Sequence, residues 1–186
     1  MKRVALGAGL ALAIAAGAAQ ADTLEIQVDG SVKGTVEIEL LPDVAPKHVA
    51  QIEALAKAGA YDGVVFHRVI DGFMAQTGDV QFGRKGSPDI AQAGMGGSDM
   101  PDLKAEFSDI PFERGTVGMA RAQDPNSANS QFFIMFAPAP SLNGQYTVVG
   151  KVIAGQDVVD RIRRGALPSG AVSDPDWMAK VTVKAD

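Results

Sequence analysis

Phe66-His67-Arg68-Val69-Ile70-Asp71-Gly72-Phe73-Met74-Ala75-Gln76-Thr77-Gly78-Asp79 is the stretch on which the reading of the whole chain turns. Two short runs, the β-branched and aromatic Val64 to Val69 and then Phe73 to Thr77, flank Asp71-Gly72 and predict a β-hairpin. Asp-Gly fits a two-residue type I′ turn, or Gly72 fits the left-handed position of a three-residue loop. The two differ by one residue, and a one-residue slip sends every side chain to the other face. A two-residue loop pairs Ile70 with Phe73 and separates Arg68 from Gln76. A three-residue loop pairs Val69 with Phe73 and gathers Arg68, Met74 and Gln76 on one face. The second is expected, with Gly72 at positive φ. On the hairpin pattern alone, Arg68 reads first as a strand arginine that keeps its charged head in water.

Outward from the hairpin, the chain alternates short strands with turns. Leu24, Ile26 and Val28, then Val36, Ile38 and Leu40, recur at a period of two and predict two half-buried antiparallel strands around Asp29-Gly30. Pro46 suits the first turn of a helix, with Val49, Ile52, Leu55 and Ala56 on its apolar face and Gly59 as its stop. His48 on that helix is read as a surface residue. Phe82 to Asp102 reads as a long glycine-rich loop. Glu106 to Phe112 is expected to lead back into the sheet. Further strands are expected within Gly115–Ala120, Gln131–Phe136, Tyr146–Ile153 and Lys180–Val183. A short helix carries Val158, Val159 and Ile162 and closes at Gly165. Many short strands with two helices predict an all-β barrel or sandwich in one domain, residues 22–186.

Few chemistries have material here. With no Cys and two His there is no thiolate nucleophile, no Cys-ligated metal and little for a nucleophilic triad. His48 and His67 lack the spacing of a zinc protease, and no Gly-x-Ser-x-Gly elbow occurs. Gly94-Met95-Gly96-Gly97 lacks the third glycine and preceding strand of a dinucleotide fingerprint. No metal or cofactor is expected.

Three segments together resemble the cyclophilin peptidyl-prolyl isomerases. They are the Phe66–Asp79 stretch, Gly115-Thr116 through Met119-Ala120-Arg121 to Ser130-Gln131-Phe132-Phe133-Ile134, and Leu142-Asn143-Gly144 followed by Val148-Val149-Gly150-Lys151-Val152. They keep the family's order across roughly Thr23 to Lys184. The resemblance implies a closed, eight-stranded antiparallel barrel with a helix over each open end. It implies isomerisation of X-Pro bonds, a reaction with a barrier of ~20 kcal/mol in which no heavy-atom bond is made or broken. Near the twisted state the imide nitrogen becomes pyramidal and can accept a hydrogen bond, and an always-charged guanidinium is suited to donate one.

By this resemblance Arg68 is the catalytic guanidinium, and Gln76 and Phe73 complete the catalytic set. Phe73, Met74, Phe133 and Leu142 form the proline pocket. Ala120, Arg121 and Gln131 flank the substrate, with Arg121 where the family commonly has Asn, and His67 lies beside the pocket. Tyr146 stands where many members have His. Ser141 stands where many have the Trp that helps to bind cyclosporin, so drug binding is expected to be weak. The expected partners are proline-containing polypeptides. The alternative is a barrel that grips proline-containing loops as a chaperone or scaffold, with little turnover.

Lys2-Arg3, the apolar run Val4–Ala19 and the ending Ala19-Gln20-Ala21 have the pattern of a cleaved secretory signal peptide over residues 1–21. Removing Lys2 and Arg3 takes the 17 basic residues to 15 against 22 acidic ones, a net charge of −7. That balance argues against a nucleic-acid partner. A periplasmic monomer without stable membrane association is expected.

Overall fold

The computed structural model describes residues 21–185. The signal-peptide reading thus falls, but for Ala21, outside the described residues. No helix among the described residues is long and apolar enough to cross a membrane.

The alternating runs become strands in the positions their period implies. β1 (Thr23–Asp29) and β2 (Gly34–Leu40) pair antiparallel with Ile26 opposite Val36, and Leu24, Ile26, Val28, Val36, Ile38 and Leu40 are all buried. α1 (Pro46–Lys57) starts at Pro46. It ends in a Schellman turn, with the Gly59 N–H on the Ala56 carbonyl and the Ala60 N–H on that of Leu55, Gly59 taking φ 69°. β3 (Val64–Val65), β4 (Arg68–Ile70), β5 (Met74–Thr77), β6 (Thr116–Met119), β7 (Phe132–Met135) and β8 (Val148–Ala154) follow. Then come α2 (Gln156–Arg161) and β9 (Trp177–Lys184). α1 packs on β9, and α2 on β2, where Gly34 leaves room for Val158.

The strands make one curled antiparallel sheet in the order β3-β9-β1-β2-β8-β6-β7-β5-β4. This corrects the closed eight-stranded barrel: the sheet has nine strands and its ladder stays open between β3 and β4. The physical cause lies at Phe66-His67. There the expected continuous strand bends, its first half pairing with β9 and its second with β5. The bend is filled by another segment, with the Phe66 N–H on the Asp176 carbonyl, the Val69 N–H on that of Gly170 and the Val172 N–H on that of His67. Glu106 to Phe112 forms no strand, and α2 ends at Arg161 rather than at Gly165.

The reading of His48 as a surface residue is also corrected. It is fully buried, and its Nδ1 lies 2.6 Å from Glu106 Oε2. The same carboxylate accepts the Lys47 and His48 N–H groups at the start of α1, donors that no side-chain cap satisfies. Burial works to raise the Glu106 pKa, but these hydrogen bonds outweigh it and hold the group below its ordinary 4.5.

The sheet carries apolar residues on both faces. Val69, Ala75, Val117, Phe132 and Ile134 point into the main core, together with the apolar face of α1. Their neighbours Met74, Phe133 and Met135 point outward and build a second cluster with Phe112 and Val148. A sheet that also buries its outer face there has a groove to form.

Candidate active site

The hairpin sets the groove. Arg68 lies opposite Gln76, Val69 opposite Ala75 and Ile70 opposite Met74, so the loop is Asp71-Gly72-Phe73, with Gly72 at φ 68°. The three-residue loop and the shared face of Arg68, Met74 and Gln76 therefore hold. The register is shifted from the expected Val69–Phe73 pair by two residues, which preserves the faces. Phe73 belongs to the loop, where its N–H reaches the Ile70 carbonyl. Arg164 fixes the turn through Asp71 Oδ1 at 2.9 Å, its guanidinium stacked over Phe136.

A directed chain of hydrogen bonds runs across the outer face. Arg68 Nη1 donates to Gln76 Oε1 at 3.2 Å, and Gln76 Nε2 to Gln131 Oε1 at 3.0 Å. Gln131 Nε2 donates to the carbonyls of Gly94 at 3.1 Å and Gly96 at 2.8 Å. Arg68 Nε donates to the Ser169 carbonyl at 3.0 Å. Each amide accepts on one side and donates on the other, so the chain fixes both amide orientations and holds the guanidinium in one plane. A guanidinium has five N–H donors; these contacts use two and leave three for a ligand.

Beside it opens a cavity of about 190 Å³ lined by Phe73, Met74, Phe133, Leu142, Tyr146 and Ala120, with Arg68, Gln76 and Arg121 at its polar side. Phe133 stacks on Phe112 at 5.7 Å, and Tyr146 meets both rings edge-on. Gly118 allows this, because a Cβ there would come within 2.6 Å of both phenyl rings. Asn143 ties the turn bearing Leu142 to this wall by accepting the Phe112 N–H at 2.8 Å.

A family model described as "Cyclophilin type peptidyl-prolyl cis-trans isomerase/CLD" matches residues 23–184. The chain belongs to the cyclophilin-type peptidyl-prolyl cis-trans isomerases. It is 58% identical over 191 residues to a Brucella suis protein described as a probable peptidyl-prolyl cis-trans isomerase, covering 99% of this chain and 97% of that one. A Brucella melitensis protein of the same description matches to the same extent. Among solved structures it resembles a Cryptosporidium parvum cyclophilin-type isomerase crystallised in the presence of the dipeptide Ala-Pro. The TM-score is 0.73 at 26% identity, covering 88% of this chain and 99% of that one. A cyclophilin from Hirschia baltica gives a TM-score of 0.70 at 26% identity, covering 86% and 73%.

The expected cyclophilin site residues are largely together. Arg68, Phe73, Met74, Gln76, Ala120, Arg121, Phe133, Leu142 and Tyr146 line the one cavity, and Gln131 stands one hydrogen bond further on. Arg121 packs its guanidinium over the Tyr146 ring at 4.4 Å and donates to the carbonyls of Ala122, Gln123 and Gln145.

His67 does not reach the proline-sized cavity. The residue is 9% exposed, and its ring lies under Gly94, facing a separate cavity with Ile90, Ala93 and Val172. Burial pushes its pKa down to about 4, opposed by the Asp79 carboxylate and reinforced by the Arg68 charge. A base whose pKa is depressed on folding binds protons better when unfolded, so stability falls as pH drops from about 6.5 towards 4. The expected loss is ~3 kcal/mol. Chemical denaturation from pH 7 to pH 4 should show it in the wild type and a flatter curve in His67→Gln. Equal loss in both would remove His67 as its source.

Asp79 is a residue the sequence reading passed over, although it closes the quoted stretch. It is fully buried, and its carboxylate accepts four backbone N–H groups. Those of Gln81 and Phe82 reach one oxygen, and those of Gly94 at 2.7 Å and Gly96 at 2.9 Å reach the other. It thereby holds the loop whose carbonyls anchor Gln131. The signal available in sequence was an acidic residue at the end of a buried strand, followed by a glycine-rich loop.

Proposed function

We propose that this protein isomerises X-Pro bonds of unfolded and newly exported polypeptides and so assists their folding. It would act as a periplasmic monomer after removal of residues 1–21. The observation that carries the reading is a guanidinium held from two sides at the rim of a proline-sized apolar cavity, with donors to spare. The proline ring enters among Phe73, Met74, Phe133 and Leu142 and stays fixed while the acyl side rotates. Arg68 donates to the imide nitrogen as it pyramidalises, an interaction stronger in the twisted state than in either planar one. A preference of ~6 kcal/mol for that state gives roughly 10⁴-fold acceleration. Gln76 keeps the guanidinium from turning away, and no cofactor is required.

Two measurements test the proposal. NMR exchange on an Ala-Pro peptide should show cis and trans signals interconverting faster with the protein present, and mass spectrometry of the native protein should begin at Asp22. Peptide binding without faster exchange would leave a binding module. Met1 retained in a cytoplasmic fraction would end the export reading.

Ser141 is exposed on the same short turn as Leu142, a wall residue of the cavity. Its hydroxymethyl group offers little apolar area, whereas a buried indole contributes on the order of 2 kcal/mol. Cyclosporin should therefore bind weakly, and Ser141→Trp should tighten it by at least ~10-fold by calorimetry. Equal affinity in both proteins would show that position 141 lies off the ligand surface.

A further inference from the structure

The groove has a sign of charge opposite to that of the chain. A second cavity of about 360 Å³ adjoins the proline-sized one and shares Gln76, Ala120 and Arg121 with it. The rest of its wall comes from the Gly94–Gly96 loop and the segment from Ala122 to Gln131. The charged side chains lining the two cavities are Arg68 and Arg121, and no carboxylate lines either, in a protein of net charge −5. Three acids on the neighbouring elements accept hydrogen bonds and line neither cavity. Asp79 is buried under the loop with four N–H donors on it. Asp102 accepts from Asn129 Nδ2 at 2.9 Å, and Asp124 from the Asn126 N–H at 2.8 Å.

Arg121 stands on the wall between the cavities. Its hydrogen-bond acceptors are three carbonyls, and its plane rests on Tyr146. None of these contacts neutralises the charge, and together they hold the guanidinium still, so little side-chain entropy is left to lose when an anion arrives. An extended peptide advances ~3.3 Å per residue, so a side chain two residues from a seated proline lies ~7 Å away, outside the proline cavity and in the space around it.

We propose that this groove selects X-Pro substrates carrying an acidic side chain within two or three residues of the proline, with Arg121 as the specificity-determining residue. The proposal rests on the reading of the smaller cavity as the proline site. A carboxylate in the second cavity meets Arg121 directly and Arg68 at longer range, while a lysine there is repelled by both. Attraction at such partly exposed sites is modest, so the effect is one of preference and acts mainly through KM.

The test is a set of peptides that share one Ala-Pro core and place Glu, Lys or Ala two residues before the proline or two after it. Isomerisation kcat/KM is measured for each on wild type, Arg121→Gln and Arg121→Lys. Wild type should favour Glu over Lys at one of the two positions by ~3–10-fold at low salt, and the ratio should shrink towards one at about 1 M salt. Arg121→Gln should abolish the ratio and Arg121→Lys should keep most of it. Because each ratio is internal to one protein, a general loss of activity does not disturb it. A wild-type ratio within twofold of one at both positions would overturn the proposal whatever the variants do. A ratio that persists in Arg121→Gln would overturn the assignment to Arg121. Failure to accelerate even the Ala peptide would instead overturn the isomerase reading on which it rests.

Discussion

Arg68→Ala should lower kcat/KM by about 10²–10³-fold, because a charged hydrogen bond made mainly in the twisted state contributes ~3–4 kcal/mol. The loss should fall on kcat more than on peptide affinity, since the apolar walls of the cavity remain. Stability should change little. The side chain gives up hydrogen bonds to the Ser169 carbonyl and to Gln76 that face the groove, where water replaces them, so the net cost is on the order of 1 kcal/mol. Arg68→Lys should rescue poorly: one ammonium cannot hold the Ser169 carbonyl and Gln76 while presenting further donors in the same plane. Exchange rates by NMR, peptide Kd and thermal melts on the three proteins decide the matter. Unchanged turnover in Arg68→Ala would mean that another group stabilises the twisted bond.

Asp79→Asn should be the most destabilising conservative change near the site. The isosteric amide keeps one oxygen but turns an NH2 group towards N–H donors that have no other acceptor among the described residues. Hydrogen bonds to a charged acceptor are worth ~1.5–3 kcal/mol each, so losing two costs ~3–6 kcal/mol. For a domain of this size that corresponds to a fall in Tm on the order of 10 °C. The damage should also be directional. Freed from Asp79, the Gly94–Gly96 loop releases Gln131, Gln131 releases Gln76, and the Arg68 plane is less well held. Activity at a temperature where the variant is folded should fall by ~10-fold, the scale expected of lost positioning. Amide hydrogen exchange at Gly94 and Gly96 should accelerate. A variant that melts with the wild type would show that the loop is held by something other than Asp79.

The two cases differ in how far they could be read from sequence. Arg68 and Gln76 were placed on one face by the parity of a hairpin, and parity survives an error of two residues in register. The apolar strands were legible from their period for the same reason. Asp79 and Glu106 left no periodic trace, because their partners are main-chain donors that the fold brings to them. Gly96 is 17 residues from Asp79 along the chain, and His48 is 58 from Glu106. His48 looked like a surface residue because a helix pattern assigns faces, and it cannot anticipate a loop carboxylate arriving over the helix end. The open ladder was hidden too: Val64 to Ile70 is uniformly strand-like, and the bend at Phe66-His67 depends on the segment around Gly170 to Asp176 packing into it.

The position of β1 between β2 and β9 has a consequence for how the molecule comes into being. Glu25 and Lys184 are ion-paired across 159 residues of chain. β1 can zip to β2 as soon as both exist, but its other edge has no partner until β9 is present. Loop closure on that scale precedes any gain from the contacts it brings, which places the protein among high-contact-order, slow folders. Through that interval it offers neighbouring chains a bare strand edge, the feature that most invites aggregation. A cyclophilin-type isomerase is thus, while it assembles, one of the chains that a bare strand edge exposes to its neighbours.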